Sequence, residues 1–180
     1  MNMNKTYRGV RIQYKKGFTL IETFVAIAVL LISLVGPLSI AAQSLRSAYY
    51  ARDQITAFYL AQEAIEYVRA KRDQNYFPTP HNPWLNGLDN CVSPSVCTVD
   101  YKNFADNVCS GGNCSALLIS AAPEYIFNTQ SGTPSLFTRS LTIVPIPGTP
   151  DEVTLQVTVR WVSAGISRSF QLKEDIFNWL

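Results

Sequence analysis

Histidine occurs once in the 180 residues, at position 81, and no glycine-rich phosphate loop follows a strand-like segment. The first scarcity excludes a histidine-rich metal centre and leaves His81 a loop residue rather than a ligand or base. The second excludes the common nucleotide-binding turns. Cys109-Ser110-Gly111-Gly112-Asn113-Cys114 holds no G-x-S-x-G elbow and reads as a tight turn. The paired acids Asp151-Glu152 and Glu174-Asp175 read as solvated charges at strand ends. No catalytic constellation emerges, so no enzymatic activity, cofactor, metal or small-molecule substrate is expected. Acidic residues are also missing from positions 1–17, which carry Lys5, Arg8, Arg11, Lys15 and Lys16. Without those five, ten basic residues face thirteen acidic ones, so the net charge of +2 becomes about −3. The remainder has no basic surplus, and a nucleic-acid-binding surface is not indicated.

Charge is absent altogether from Thr23 to Leu45. That run is long enough to cross a hydrocarbon core of roughly 30 Å as a helix. The apolar stretch exceeds the ~7–15 residues of a cleavable signal's apolar region. Ala41-Ala42 is followed by more helical sequence rather than by a clean processing site. A plain signal anchor is the simple alternative, but it leaves Glu22 unexplained. A lone carboxylate at membrane depth costs at least ~2–3 kcal/mol unless paired, which makes Glu22 a functional candidate. The basic leader on one side of the span places that side in the cytoplasm.

Lys15-Lys16-Gly17-Phe18-Thr19-Leu20-Ile21-Glu22 resembles the processing signal of type IV prepilins and of the related pseudopilins of type II secretion systems. The resemblance implies cleavage between Gly17 and Phe18 by a membrane prepilin peptidase, which methylates the new amino group of Phe18. Glu22 becomes the fifth mature residue and the expected partner of a neighbouring subunit's terminus. Gly36-Pro37 is similar to the helix-loosening position of that family, shifted by a couple of residues. Leu60-Ala61-Gln62-Glu63-Ala64-Ile65-Glu66-Tyr67-Val68-Arg69 is similar to the stretch just past the membrane segment in minor pilins. The implied partners are other pilin or pseudopilin subunits, the peptidase, an inner-membrane assembly platform and the bilayer. The implied location is the cytoplasmic membrane with an extracytoplasmic C-terminal domain, then a pilus or pseudopilus. A membrane-anchored binding or adhesion module that never polymerises is the alternative from a different class.

Along the chain, the expected parts are a leader (1–17), a transmembrane helix (18–45) and the outer half of that helix (46–73). A connecting region (74–115) and a sheet with a C-terminal tail (116–180) complete it. The class is α+β, a long helix packed on an antiparallel sheet. At about 1.5 Å per residue, positions 18–72 would make a rod of roughly 80 Å, interrupted only by a helix kink or softened turn at Gly36-Pro37. Ala48, Ala51, Ile55, Phe58, Ala61, Ile65 and Val68 recur at three and four residues, a stripe expected to pack on the sheet. Asp53, Gln54, Glu63 and Arg69 fall mostly off it, and Arg69, Lys71 and Arg72 are placed on the last turn. Filament contacts would then use the membrane-proximal half.

Helix breaking is expected from Asp73, with Trp84 and Leu85 tucking back on the core. Four cysteines allow three pairings. Outside the cytoplasm disulfides persist, and the short, turn-rich intervals favour Cys91–Cys97 and Cys109–Cys114. Each would constrain the unfolded chain by roughly 2–2.5 kcal/mol. Zinc is the competing reading, with cysteine spacings wider than a usual site. Leu117-Leu118-Ile119, Tyr125-Ile126-Phe127 and Phe137 to Ile146 read as strands. Val153, Leu155, Val157, Val159 and Trp161 alternate with polar residues, one face buried and one wet. Ala164-Gly165 turns the chain into Ile166–Leu172, and Lys173 to Leu180 is expected as a short helix or tail anchored by Phe177 and Trp179.

Overall fold

The computed structural model describes residues 17–121 and 127–178. The basic residues Lys5 to Lys16, the segment Tyr125-Ile126 and Trp179 lie outside the described residues. The chain divides into two compact units, Met1–Leu45 and Arg46–Leu180.

One helix, α1 (Leu20–Tyr76), begins in the first unit and ends in the second. Thr19 caps it: its Oγ1 accepts a hydrogen bond from the Glu22 amide at 3.3 Å, satisfying one of the donors a helix start leaves open. The helix is continuous through Gly36 and Pro37, the position where a kink or softened turn is expected. Proline removes one donor, the one that would reach the Ser33 carbonyl. The turn is supported nearby, where Ser39 Oγ donates to the Gly36 carbonyl at 2.8 Å and Ser33 Oγ to the Leu30 carbonyl at 2.7 Å.

In the second unit α1 continues to Tyr76, past the expected stop at Asp73. Asn75 is buried and holds this extension, its Nδ2 donating to the carbonyls of Trp84 and Asn86 at 3.1 and 2.9 Å. The last turn therefore carries no basic residue. Arg72 sits a turn earlier, bonding Asp73 and the Phe177 carbonyl.

Among the described residues seven strands form one antiparallel sheet. They are β1 (Cys97–Asp100), β2 (Ala105–Val108), β3 (Ala116–Ile119), β4 (Phe127–Asn128), β5 (Thr133–Ile146), β6 (Thr149–Ser163) and β7 (Ile166–Phe177). Strand β5 is the hub. Over Thr138–Ile146 it pairs with β6, which pairs in turn with β7, while β3 and β1 also pair with β5. Ala164 and Gly165, with φ of 50° and 77°, make the tight β6–β7 turn, whose positive φ values match the twist of the strands. Gly132 has φ of 135°, and an added Cβ would stand 2.1 Å from the Ile119 carbonyl oxygen, so only glycine fits.

The core forms where Ala57, Leu60, Ala61, Ala64, Ile65 and Val68 of α1 meet the inward residues of β5 and β6. Val153, Leu155, Val157, Val159 and Trp161 are buried, in the alternation read from β6. Trp84 and Leu85 pack against this core, as expected.

Three other expectations are corrected. The helical stripe divides: Ala61, Ile65 and Val68 are buried, whereas Ala48, Ala51, Ile55 and Phe58 are exposed. Its steps average roughly 3.3 residues, so around a 3.6-residue helix the stripe drifts by about 27° per step and its two ends lie on different faces. Asp53, placed off the stripe, is only 5% exposed, at the start of the face that is truly buried. The connecting region, with little periodicity in its sequence, contributes β1 and β2. Strand β1 is buried at all four positions, so no alternation marks it. Lastly, Lys173–Phe177 is neither helix nor tail. It extends β7 by pairing with the start of β6, from Gln156↔Lys173 to Glu152↔Phe177.

Candidate functional site

At the N-terminal end Gly17 and Phe18 precede the cap, both exposed. A Cβ built at Gly17 meets nothing within 4 Å, so the fold itself makes no demand for glycine there. Glu22 is exposed and stands three residues after the Thr19 cap, the acidic position of a capping box. It is also the acid of the first turn, where the helix dipole favours negative charge. Sequence reading missed this local role, although Thr-x-x-Glu signals it.

Beyond Glu22 the helix is long and apolar enough to cross a membrane, and its apolar stretch has no buried residue. Leu20, Ile21, Val25, Val29, Leu30 and Leu31 are all exposed, and at about 100° per residue they stand on every side of the helix. Gly36 likewise has open space at its Cβ position. A surface apolar all round is stable in lipid or among other apolar helices, not in water.

The second unit carries an apolar groove of about 430 Å³ lined by Ala51, Gln54, Ile55, Phe58, Tyr59 and Phe170. Phe58 and Phe170 meet edge to face at 5.8 Å, and the Arg168 guanidinium lies 5.0 Å from the Tyr50 ring centre. This is where the outward half of the divided stripe emerges.

The second unit also holds a polar interior that sequence reading missed. Arg139, on the inward face of β5, is fully buried. It donates to the Leu60 carbonyl and the Glu63 carboxylate at 2.9 Å each, and to the Val99 carbonyl at 2.6 Å. One guanidinium thus ties α1, β1 and β5 together. Glu174 is not a solvated end charge either, because it pairs with Arg69 of α1. Tyr67 is buried, and its hydroxyl has no hydrogen-bond partner among the described residues. Its pKa is pushed up to about 12 by burial first, then by the charges of Asp106 and Asp100.

The Tyr67 shift fixes a sign. Tyr67 keeps its proton in the folded protein where the unfolded chain loses it, so its contribution is complete below pH 10 and falls away toward about 12. Tyr67→Phe should shrink the alkaline loss of stability in urea melts across that window and should cost little at pH 7. A variant with an undiminished alkaline loss would contradict the assignment.

Cys91–Cys97 and Cys109–Cys114 are bonded, the two local pairings. They differ in setting: Cys91 and Cys97 belong to the core, whereas the Cys109–Cys114 turn includes exposed Ser110 and Asn113. His81 is exposed, its ring stacked at 4.5 Å on Tyr76. Among the described residues no group of three or more His, Cys, Asp or Glu side chains could hold a metal.

No family model, characterised protein or solved structure matches this chain. The resemblance at Lys15 to Glu22 and at Leu60 to Arg69 therefore rests on those residues and on the helix that carries them.

Proposed function

We propose that this chain is a non-enzymatic structural subunit, a minor pilin, of a type IV pilus-like filament. One observation carries the reading: the first half of α1 is apolar and exposed on every side, and the same helix continues into the core of a folded unit. Such a helix needs an apolar host on all faces. The bilayer supplies one before assembly, and like helices of neighbouring subunits supply another afterwards. The folded unit stays outside the cytoplasm, where its two disulfides persist. A pseudopilin of a secretion system would share this physics and is the nearest variant of the reading.

The test is the N terminus of the purified protein. Mass spectrometry should find Phe18 as the first residue, N-methylated, with the basic leader gone. Gly17→Arg should block the cut and leave folding unchanged, since a side chain at 17 meets nothing in the protein. An intact leader in cells that contain the peptidase would favour a membrane-anchored binding module instead.

A further inference from the structure

The β1–β2 hairpin has a second face, away from Cys97 and Val99 in register. Thr98 and Asn107 are direct cross-strand partners there, with Asp100 two residues on. The Asp100 carboxylate is fully engaged. It accepts from the Asn103 amide and side chain at 3.0 and 2.8 Å, and from the Thr129 amide and hydroxyl at 2.9 and 3.1 Å. Thr129 Oγ1 in turn accepts from Asn107 Nδ2 at 3.2 Å. A buried acid therefore fixes a threonine, which fixes an asparagine.

This network walls a cavity of about 220 Å³, completed by Ser110, Asn113 and Ser115 from the Cys109–Cys114 turn and its exit. The rim residues Asn107, Ser110, Asn113 and Ser115 are exposed, so the cavity is open to solutes. Thr98 is only 7% exposed, and its hydroxyl has no hydrogen-bond partner among the described residues. A buried hydroxyl left unpaired opposes folding, and it stands out beside Asn107 and Thr129, whose side chains are paired.

The lining selects the ligand. Among the described residues no cation lines the cavity and Asp100 is saturated, so an ion would enter without a counter-charge. An apolar molecule would leave Thr98 unpaired. What fits is a neutral molecule with donors and acceptors around its edge and a small C–H face for Val108 and Ala116. The volume is below the roughly 300–1,000 Å³ of pockets for drug-sized ligands, which suits one ring. We propose that this cavity binds a single neutral hexose unit, the terminal residue of a glycan, with Thr98 at its floor. The site does not depend on the filament reading, because it lies wholly within the folded unit and an uncut leader would leave it unchanged.

The test is calorimetric titration and saturation-transfer NMR of the full chain in a detergent that carries no sugar. Glucose, galactose, mannose and N-acetylglucosamine are the probes. At least one should bind saturably with Kd on the order of 1 mM. Thr98→Val should weaken it about tenfold while leaving Tm equal or higher, because valine keeps the shape and removes the unpaired hydroxyl. Ser115→Ala, on the exposed rim, should also weaken binding and guards against a Thr98 variant that fails to fold. Absence of saturable binding by all four sugars would overturn the proposal and leave the cavity to water. Binding unchanged by both substitutions would overturn it equally.

Discussion

Arg139→Ala should lower the unfolding free energy by about 3 kcal/mol, because it removes a fully buried guanidinium from two carbonyls and from the half-buried Glu63 carboxylate. For a folded unit of this size that is a fall in Tm of roughly 10 °C. The expectation rests on what the guanidinium touches. Truncation strands the Val99 carbonyl, leaves Glu63 facing a cavity, and removes the bond between β5 and the Leu60 carbonyl of α1. The Leu60 carbonyl keeps its own helical partner, so Val99 and Glu63 dominate the loss. Arg139→Met separates the two causes, because it fills much of the space but leaves both polar groups unpaired. Combining it with Glu63→Leu should recover part of the stability, as apolar replacements of whole buried pairs often do. Chemical denaturation of the full chain in detergent provides the measurement. A loss under about 1 kcal/mol for Arg139→Ala would show that this network does not hold the sheet to the helix.

Glu22→Ala should reduce incorporation into filaments by about tenfold or more, while membrane insertion and cleavage stay near wild type. In the proposed subunit, cleavage before Phe18 would place an ammonium there, four residues before the Glu22 carboxylate. Packing such helices together removes both charges from water, and an unpaired buried ion costs several kcal/mol. In the proposed filament a neighbour's terminus would offset much of that cost and set axial register, since a one-residue slip would leave both ions unpaired. The capping geometry supplies a rival explanation, because Thr19 and Glu22 occupy the two positions of a capping box. The Gln variant discriminates. Glutamine serves in a capping box as glutamate does, so Glu22→Gln should preserve the helix start yet still impair assembly if charge is what matters. Filaments containing Glu22→Gln at the wild-type level would assign the residue to capping, and the same result for Glu22→Ala would remove it from assembly altogether. Loss of the cap interaction alone costs on the order of 1 kcal/mol of helix stability, which helix content by circular dichroism can track.

Much of this protein is written in short-range patterns. The run from Thr23 to Leu45 needs only its composition to declare an apolar helix. Strand β6 needs only its period of two, and the β6–β7 turn only Ala164-Gly165. The two disulfides close loops short enough for their residues to indicate the pairing. These features depend on neighbours in the chain, and such neighbours are visible in a sequence.

What the tertiary structure decided involves partners far apart along the chain. Which end of the helical stripe is buried depends on where β5 and β6 lie, and they meet Ala57 to Val68 but leave Ile55 and Phe58 in the open. Cys97 to Asp100 is a strand because β2 and β5 take its hydrogen bonds and both its faces are covered, so no alternation announces it. Lys173 to Phe177 is polar enough to pass for a tail until β6 supplies its edge. Arg139 is a charge within a strand, and carbonyls of Leu60 and Val99 and the acid of Glu63 converge from distant segments to make its burial tolerable. The same holds for Thr98, whose unpaired hydroxyl matters only because Asp100, Thr129 and Asn107 are already bonded around it. Local pattern determined which segments are apolar and regular. Burial of charge and polarity was decided by distant groups, because the cost of removing a polar atom from water depends on what meets it there.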